Sequence, residues 1–504
     1  VAIQAYLANL QRQVSATIAA SVALTRTQVA LTQFRDWTTL GFTPGNISFF
    51  RTSNGQWYCD MDFYKLLDAN IAGWQAYTVT YLSPTGADGN AGTVSAPKKT
   101  IDTVWTDATN RILILDTENG EFDYITGFKG NSPGANKVVV SKFGAAGKRA
   151  TVTMKSPGPY TWVADTTPGV YYTVVSTTMH YAIDYAKQDL TGRPFRYDSR
   201  YWLKANFVSG TPDLNINTLA LCRSNVGTLF YDSGTSRVYI NTGDTVNSPS
   251  SSVVIYRGTA CVVHNTPANQ VWFNGVDIVG GSIPVSSVNT VTSIVNGFFN
   301  MTISLGTQTA EGGLLMDGPG TTYLQNVTVV DIPADGFDSK NTRQVIADNI
   351  NGKYCGLHQY FVTGVTYHCY NYKKNQATTC HGSKMISVNS EFSFSGGANV
   401  QDVVLSAVPA YHLALGAYIH DGQSTDRASD TFPADIFVGS TSGDTSRNWL
   451  IDVKWTDRYG APSRAPRRIS GTSGTVYLDT NETQQGLYDL AGTPTTAVIV
   501  PSRF

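Results

Sequence analysis

Asn300-Met301-Thr302-Ile303-Ser304 and Asn326-Val327-Thr328-Val329-Val330 carry one pattern, an asparagine followed by apolar residues at every second position. Asn349-Ile350 opens a third copy, and Asn274, Asn371 and Asn389 sit in or beside similar β-rich runs. The local period is two, which puts alternate side chains on opposite faces of a strand and is not how a helix is written. The copies recur at a loose spacing of about 20–25 residues, punctuated by Gly, Asn, Asp and Ser, as in stacked β-solenoid turns. A solenoid offers a long, repetitive surface, which suits a long, repetitive ligand such as a polysaccharide.

Composition agrees with an all-β chain rich in turns. Of 504 residues, 46 are Gly and only 14% are charged, against about 25% in an average domain. Lys plus Arg total 36 and Asp plus Glu 37, for a net charge of −1. No basic run is present to meet phosphates, so no nucleic-acid partner is expected. The chain has no apolar run long enough for a transmembrane helix, and no membrane partner is expected. Its first residues show neither the charged start nor the apolar run of a secretory leader. The six cysteines form no CxxC pair and read as small buried hydrophobes rather than a zinc site or disulfide framework.

Residues 1–35 differ from the rest. Ile3, Leu7, Leu10, Val14, Ile18, Val22 and Val29 form one apolar stripe without Gly or Pro. The stripe predicts a terminal helix that associates with copies of itself around an oligomer axis. Residues 36–80 are rich in aromatics and read as a small linking or capping unit, with a hairpin turn at Asn54-Gly55 and a short helix within 62–72. The β-body spans 81–476, with early strands at Ile112–Leu115, Val138–Val140 and Thr151–Met154. It includes an elaborated region at about 178–245, and regular turns resume near Val253. Residues 477–504 read as a closing segment.

Three stretches bear a resemblance. Tyr81 through Thr93, followed by Ala96-Pro97-Lys98-Lys99-Thr100-Ile101, resembles the opening of right-handed parallel β-helix carbohydrate-active proteins, where a helix from about Thr100 covers the end of the stack. Gly227 through Ile240 is similar to a tyrosine-aspartate hairpin of such proteins. Ala334-Asp335-Gly336-Phe337-Asp338, Asn375 through His381, and Gly397 through Asp402 resemble a β-helix pattern of sugar-active proteins, departing from it at Asp338, Lys340 and Gly382. With the N-terminal helix added, the chain resembles bacteriophage tailspike depolymerases most closely. That resemblance implies a right-handed parallel β-helix and a homotrimer in the virion tail. It also implies a bacterial surface polysaccharide as ligand, and tail or baseplate proteins as partners of the N-terminal region. A secreted bacterial protein is the alternative location.

Chemistry on such a body needs carboxylates at the right spacing. Adjacent turns lie about 4.8 Å apart, and glycosidases place their two carboxyls about 5–5.5 Å apart for retention or about 6.5–9.5 Å for inversion. Acids are dense at Glu311, Asp317, Asp331, Asp335, Asp338, Asp348 and Asp402. Asp335 and Asp338, read as a loop after Thr328–Val330, are the expected general acid and base, with His381 and Asp402 in support. The competing role for these aspartates is capping their own turn. Lys340, His358, Tyr360 and Lys384 are the expected substrate-binding residues, although His358 and His368 also read as ordinary turn residues. His420, beside Asp421, is a weaker candidate.

Hydrolysis of a capsule or O-antigen chain is therefore the first expectation, with no cofactor and no metal. The alternatives are β-elimination on a uronate glycan, using Lys340, Lys353 or Lys384, and glycan binding without cleavage. Only the elimination reading brings in calcium, with Asp331 and Asp348 as its ligands.

Overall fold

The computed structural model describes residues 31–33, 37–53, 55–141, 148–175, 181–188, 193–201, 214–265, 269–306, 312–362, 366–371, 377–395, 399–403, 407–420, 436–438, 445–456, 469–471, 474–479, 490–491 and 496–499. Most of the strands stack in parallel, turn upon turn. One turn contributes Asp335–Lys340, Gln344–Asp348 and Asn351–Lys353. Each of these pairs in parallel with its counterpart in the next turn, Thr378–His381, Lys384–Val388 and Glu391–Ser393. A third turn follows the same plan with Val400–Val403, Tyr411–Leu415 and Tyr418–His420. The first strand of each turn joins a nine-stranded sheet, and the other two join an eighteen-stranded one. Inward residues such as Phe337, Val345, Ile350, Met385 and Phe392 are buried together as one continuous core.

The repeated asparagines mark the corner between the second and third strands. Asn300, Asn326, Asn349 and Asn389 have φ of 52°, 54°, 52° and 48°, in the left-handed region that asparagine tolerates better than other side-chain-bearing residues. The amides of the first three stack along the body, and that of Asn389 donates to the Trp57 carbonyl at 2.9 Å. Asn300 Nδ2 donates to Asn274 Oδ1, Asn326 to Asn300 and Asn349 to Asn326, each at 2.8 Å. Gly416 and Asp452 hold the same corner in later turns, with φ of 65° and 53°. A Cβ on Gly416 would lie 2.8 Å from Trp57 Cδ1, so glycine is required there for packing as well.

Asn371 does not belong to this column. It ends an antiparallel hairpin, Leu357–Val362 with Thr366–Asn371, inserted between two turns. His358 and His368 are therefore hairpin residues, not turn residues as expected. A period of two is common to a stacked strand and a hairpin, so the sequence alone does not separate them.

The chain leaves the stack after Ala150–Thr153, which pairs in parallel with Val276–Val279, and re-enters it at Val262–His264. Between them, antiparallel sheets bury a core of their own that includes Phe195, Tyr197, Leu229, Val238 and Ile255. The strand Val253–Tyr256 belongs to this excursion and pairs antiparallel with Tyr181–Asp184. Regular turns thus resume later than expected, at Val262–His264. The helix Ile101–Trp105 and the hairpin Leu229–Asp232/Arg237–Asn241 lie where the sequence placed them.

The helical reading of residues 1–30 lies outside the described residues. At its far end, Leu31–Gln33 is a strand that pairs antiparallel with Phe50–Thr52, which corrects the expected boundary at 35. The aromatic segment after it contains the hairpin Phe49–Thr52/Trp57–Cys59 and the helix Phe63–Asn70, capped by Asp62 Oδ1 on the Lys65 amide. It lies lengthwise along the eighteen-stranded sheet. Phe63 packs on Trp272 and Phe299, and Phe42 packs on Trp449, many turns away. At the other end of the chain, Thr496–Ile499 adds one more parallel strand beside Thr475–Leu478.

Candidate functional site

Phe337 is buried in the core, so alternation turns Asp338 and Lys340 to the outer face of the nine-stranded sheet. Asp335 and Asp338 are strand residues, not the loop residues expected, because Phe337 anchors the run as a strand of the stack. Register then brings His381 beside Lys340 in the next turn. Lys340 Nζ lies 3.2 Å from Asp338 Oδ2, and His381 Nδ1 lies 3.6 Å from Asp338 Oδ1. The Asp338 side chain is fully buried, whereas those of Lys340 and His381 are 14% and 23% exposed. A Cβ on Gly312, in the preceding turn, would come within 2.9 Å of Asp338 Cβ, so glycine there makes room for the carboxylate.

Burial by itself would push the His381 imidazole down. The adjacent Asp338 carboxylate, by contact and by charge, and then Asp335, outweigh burial and hold the imidazole above its ordinary value of 6.5. This is a buried carboxylate behind a partly exposed imidazole, with an ammonium beside both. Such a group can move a proton while its ring orientation stays fixed.

Asp402 is one turn from His381, as the spacing suggested, but it belongs to the other face. It is in register with Cys380, whereas His381 is in register with Val403. Its carboxylate is fully buried and lies 3.5 Å from His412 Nδ1. Burial first, and the Asp402 charge second, push the neighbouring Cys380 thiol well above its ordinary range. His412 is not legible in the sequence, because nothing in the local pattern reveals that its strand brings it to Asp402.

The remaining candidates are dispersed. Lys384 Nζ donates to the Gly41 carbonyl at 2.7 Å and sits over the Tyr411 ring, beneath the aromatic segment on the other sheet. The backbones of His358 and Tyr360 are in the hairpin, and their side chains lie outside the described residues, as do Glu311 and Asp421. Asp331 pairs with Arg193 at 3.2 Å, while Asp348 accepts from Gln325 at 3.1 Å. These two acids therefore serve different partners. Burial pushes the Asp348 carboxyl up to about 6.

A second polar feature was not read from the sequence. Asn349, Asn351, Glu391, Tyr418 and Lys454 line an open groove of about 490 Å³ across several turns. His420 Nε2 lies 3.0 Å from Glu391 Oε1, and its ring stacks on Tyr418 with centroids 4.0 Å apart. His420 is thus partnered by Glu391.

No protein-family model matches the sequence, and no curated protein matches it. Among solved structures, the chain is similar to a complex of XylC with xylose, at TM-score 0.34 and 10% identity, covering 79% of this chain and 65% of XylC. The chain thus spans less than two thirds of that protein. It is also similar to pectate lyase Pel9A, at TM-score 0.31 and 9% identity over 84% of this chain and 77% of that one. A glycoside hydrolase gives TM-score 0.31 and 8% identity over 84% and 95%. Similarities this shallow leave the architecture to rest on the strand register described above.

Proposed function

We propose that the protein processes a polysaccharide on the outer face of the nine-stranded sheet, and that the stack is a closed right-handed β-helix. The observation that carries the reading is the Asp338 carboxylate held between Lys340 at 3.2 Å and His381 at 3.6 Å on a face built of stacked turns. In this reading His381 exchanges the proton, Asp338 positions its ring, and Lys340 supplies a fixed positive charge. The tailspike role, with a homotrimer acting on a capsule or O-antigen chain at the virion tail, is part of this proposal. It is supported by the resemblance of residues 81–101 and by the apolar stripe of residues 1–35.

Hydrolysis by a bare pair of carboxyls requires both to reach the glycosidic bond. Asp338 is fully buried and Asp335 is 6% exposed, so neither presents an open carboxyl. The more accessible members are the imidazole and the ammonium. That pair suits β-elimination on a uronate, in which Lys340 neutralises the sugar carboxylate and neutral His381 removes the adjacent proton. The electrons of the broken C–H bond form the new double bond as the C–O bond breaks, and the leaving glycosidic oxygen takes a proton from water. We therefore place elimination ahead of hydrolysis, reversing the order expected from sequence.

The test is to incubate the full chain with a panel of acidic and neutral bacterial polysaccharides and to follow chain length, unsaturation and reducing ends. Unsaturated products that are lost in His381→Ala support this reading. New reducing ends without unsaturation return the assignment to hydrolysis. Cleavage that survives His381→Ala places the site elsewhere, and binding without cleavage makes the protein a glycan receptor.

A further inference from the structure

The interior of the stack holds a cluster that no polysaccharide can reach. Cys380, Asp402 and His412 are fully buried, and their ligand atoms all lie within 4.8 Å of one another. They come from three strands of two adjacent turns, Thr378–His381 in one and Val400–Val403 and Tyr411–Leu415 in the next. Neither Asp402 oxygen has a hydrogen-bond partner among the described residues, and neither does His412 Nδ1. Leaving a carboxylate buried in this way is costly. An independent feature points to the same place. Asn448 is in register with His412, fully buried, and neither its amide nitrogen nor its carbonyl oxygen has a partner.

We propose that Cys380, Asp402 and His412 bind a divalent transition cation, with Zn²⁺ the best match, as a pin across the interior. One thiolate, one carboxylate and one neutral imidazole form a mixed S, O, N set of the kind zinc takes. The charges balance. A 2+ ion meets Cys380 sulfur and the Asp402 carboxylate, each at −1, and binding releases the one thiol proton. Ideal tetrahedral zinc separates its ligand atoms by roughly 3.3–3.6 Å, and the Asp402 Oδ2 to His412 Nδ1 distance is 3.5 Å. The second nitrogen of the ring is already set. His412 Nε2 lies 2.8 Å from Ser387 Oγ, which turns Nδ1 toward the ion. A water as fourth ligand would give the Asn448 amide its missing partner.

The probe is Co²⁺, which reports thiolate ligation through charge-transfer absorption. The full chain is produced in zinc-limited medium with cobalt and purified without chelator. The expected result is one cobalt per chain, tetrahedral visible bands and a sulfur-to-cobalt charge-transfer band, with the metal lost from Asp402→Asn and the band lost from Cys380→Ala. If these variants fail to fold, X-ray absorption on the zinc-loaded wild type decides, and one sulfur with nitrogen and oxygen neighbours is expected. Metal content well below one per chain overturns the proposal. So does a shell without sulfur, or a charge-transfer band that persists in folded Cys380→Ala.

Discussion

Arg51 and Asp452, 401 positions apart in sequence, meet in a two-pronged pair, Nε to Oδ2 at 2.6 Å and Nη2 to Oδ1 at 2.8 Å. Trp57 Nε1 donates to the same carboxylate at 2.9 Å. Asp452 occupies the corner position that asparagines hold in earlier turns, so the aromatic segment is fastened to the column itself. Both charged side chains are mostly buried, at 12% and 16% exposed. Asp452→Ala removes the carboxylate that Arg51 and the Trp57 indole N–H share, and should cost about 2 kcal/mol in urea unfolding. Arg51→Ala combined with it should cost less than the sum of the two single changes.

The asparagine column makes its own prediction. Asn326 joins a left-handed φ to a ladder hydrogen bond on either side. Asn326→Ala loses both advantages and should destabilise by about 2 kcal/mol, whereas Asn326→Gly keeps the φ and should cost about 1 kcal/mol. Urea midpoints of the two variants, compared with wild type, check the order.

His381 should dominate the pH dependence of activity. Its pKa is raised above 6.5, chiefly because Asp338 outweighs burial. As a base it works only when neutral, so the acid limb of kcat/KM should lie above pH 6.5. Asp338→Asn removes the stabilising charge. The limb should then move to lower pH while kcat falls on the order of 10²-fold, the usual range for a disturbed proton-transfer group.

A buried and a half-buried group with opposite shifts should mask each other in acid. His264 is pushed down to about 4, first by burial, with its Nε2 within 2.6 Å of the Asn269 carbonyl. Below 6.5 the unfolded chain gains a proton that the folded one refuses, so stability falls as pH drops from 6.5 toward 4. Asp348, pushed up to about 6 by burial, does the reverse. Its folded form keeps a proton that the unfolded form releases above 3.8, so stability falls as pH rises from 3.8 to 6. Each effect amounts to about 3 kcal/mol, and they nearly cancel. Asp348→Asn should raise the neutral-pH Tm and reveal a steep loss of stability below pH 6.5, measured by thermal melts from pH 4 to 7.

Strand period, the recurring asparagines and the Thr100 helix were legible in the sequence, because each is a local consequence of backbone sterics and alternation. Asp338, Lys340 and His381 were legible as candidates, through the density of acids there and the resemblance of residues 334–402. Their company was not. Register alone decided that His381 faces Asp338 while Asp402 turns inward to His412, since a shift of one position exchanges the two faces of a strand. The excursion between Thr153 and Val262 and the hairpin at Leu357–Asn371 likewise hold the same period of two as the stack. What separates them is the partner each strand finds, a contact between distant parts of the chain that no local spacing encodes.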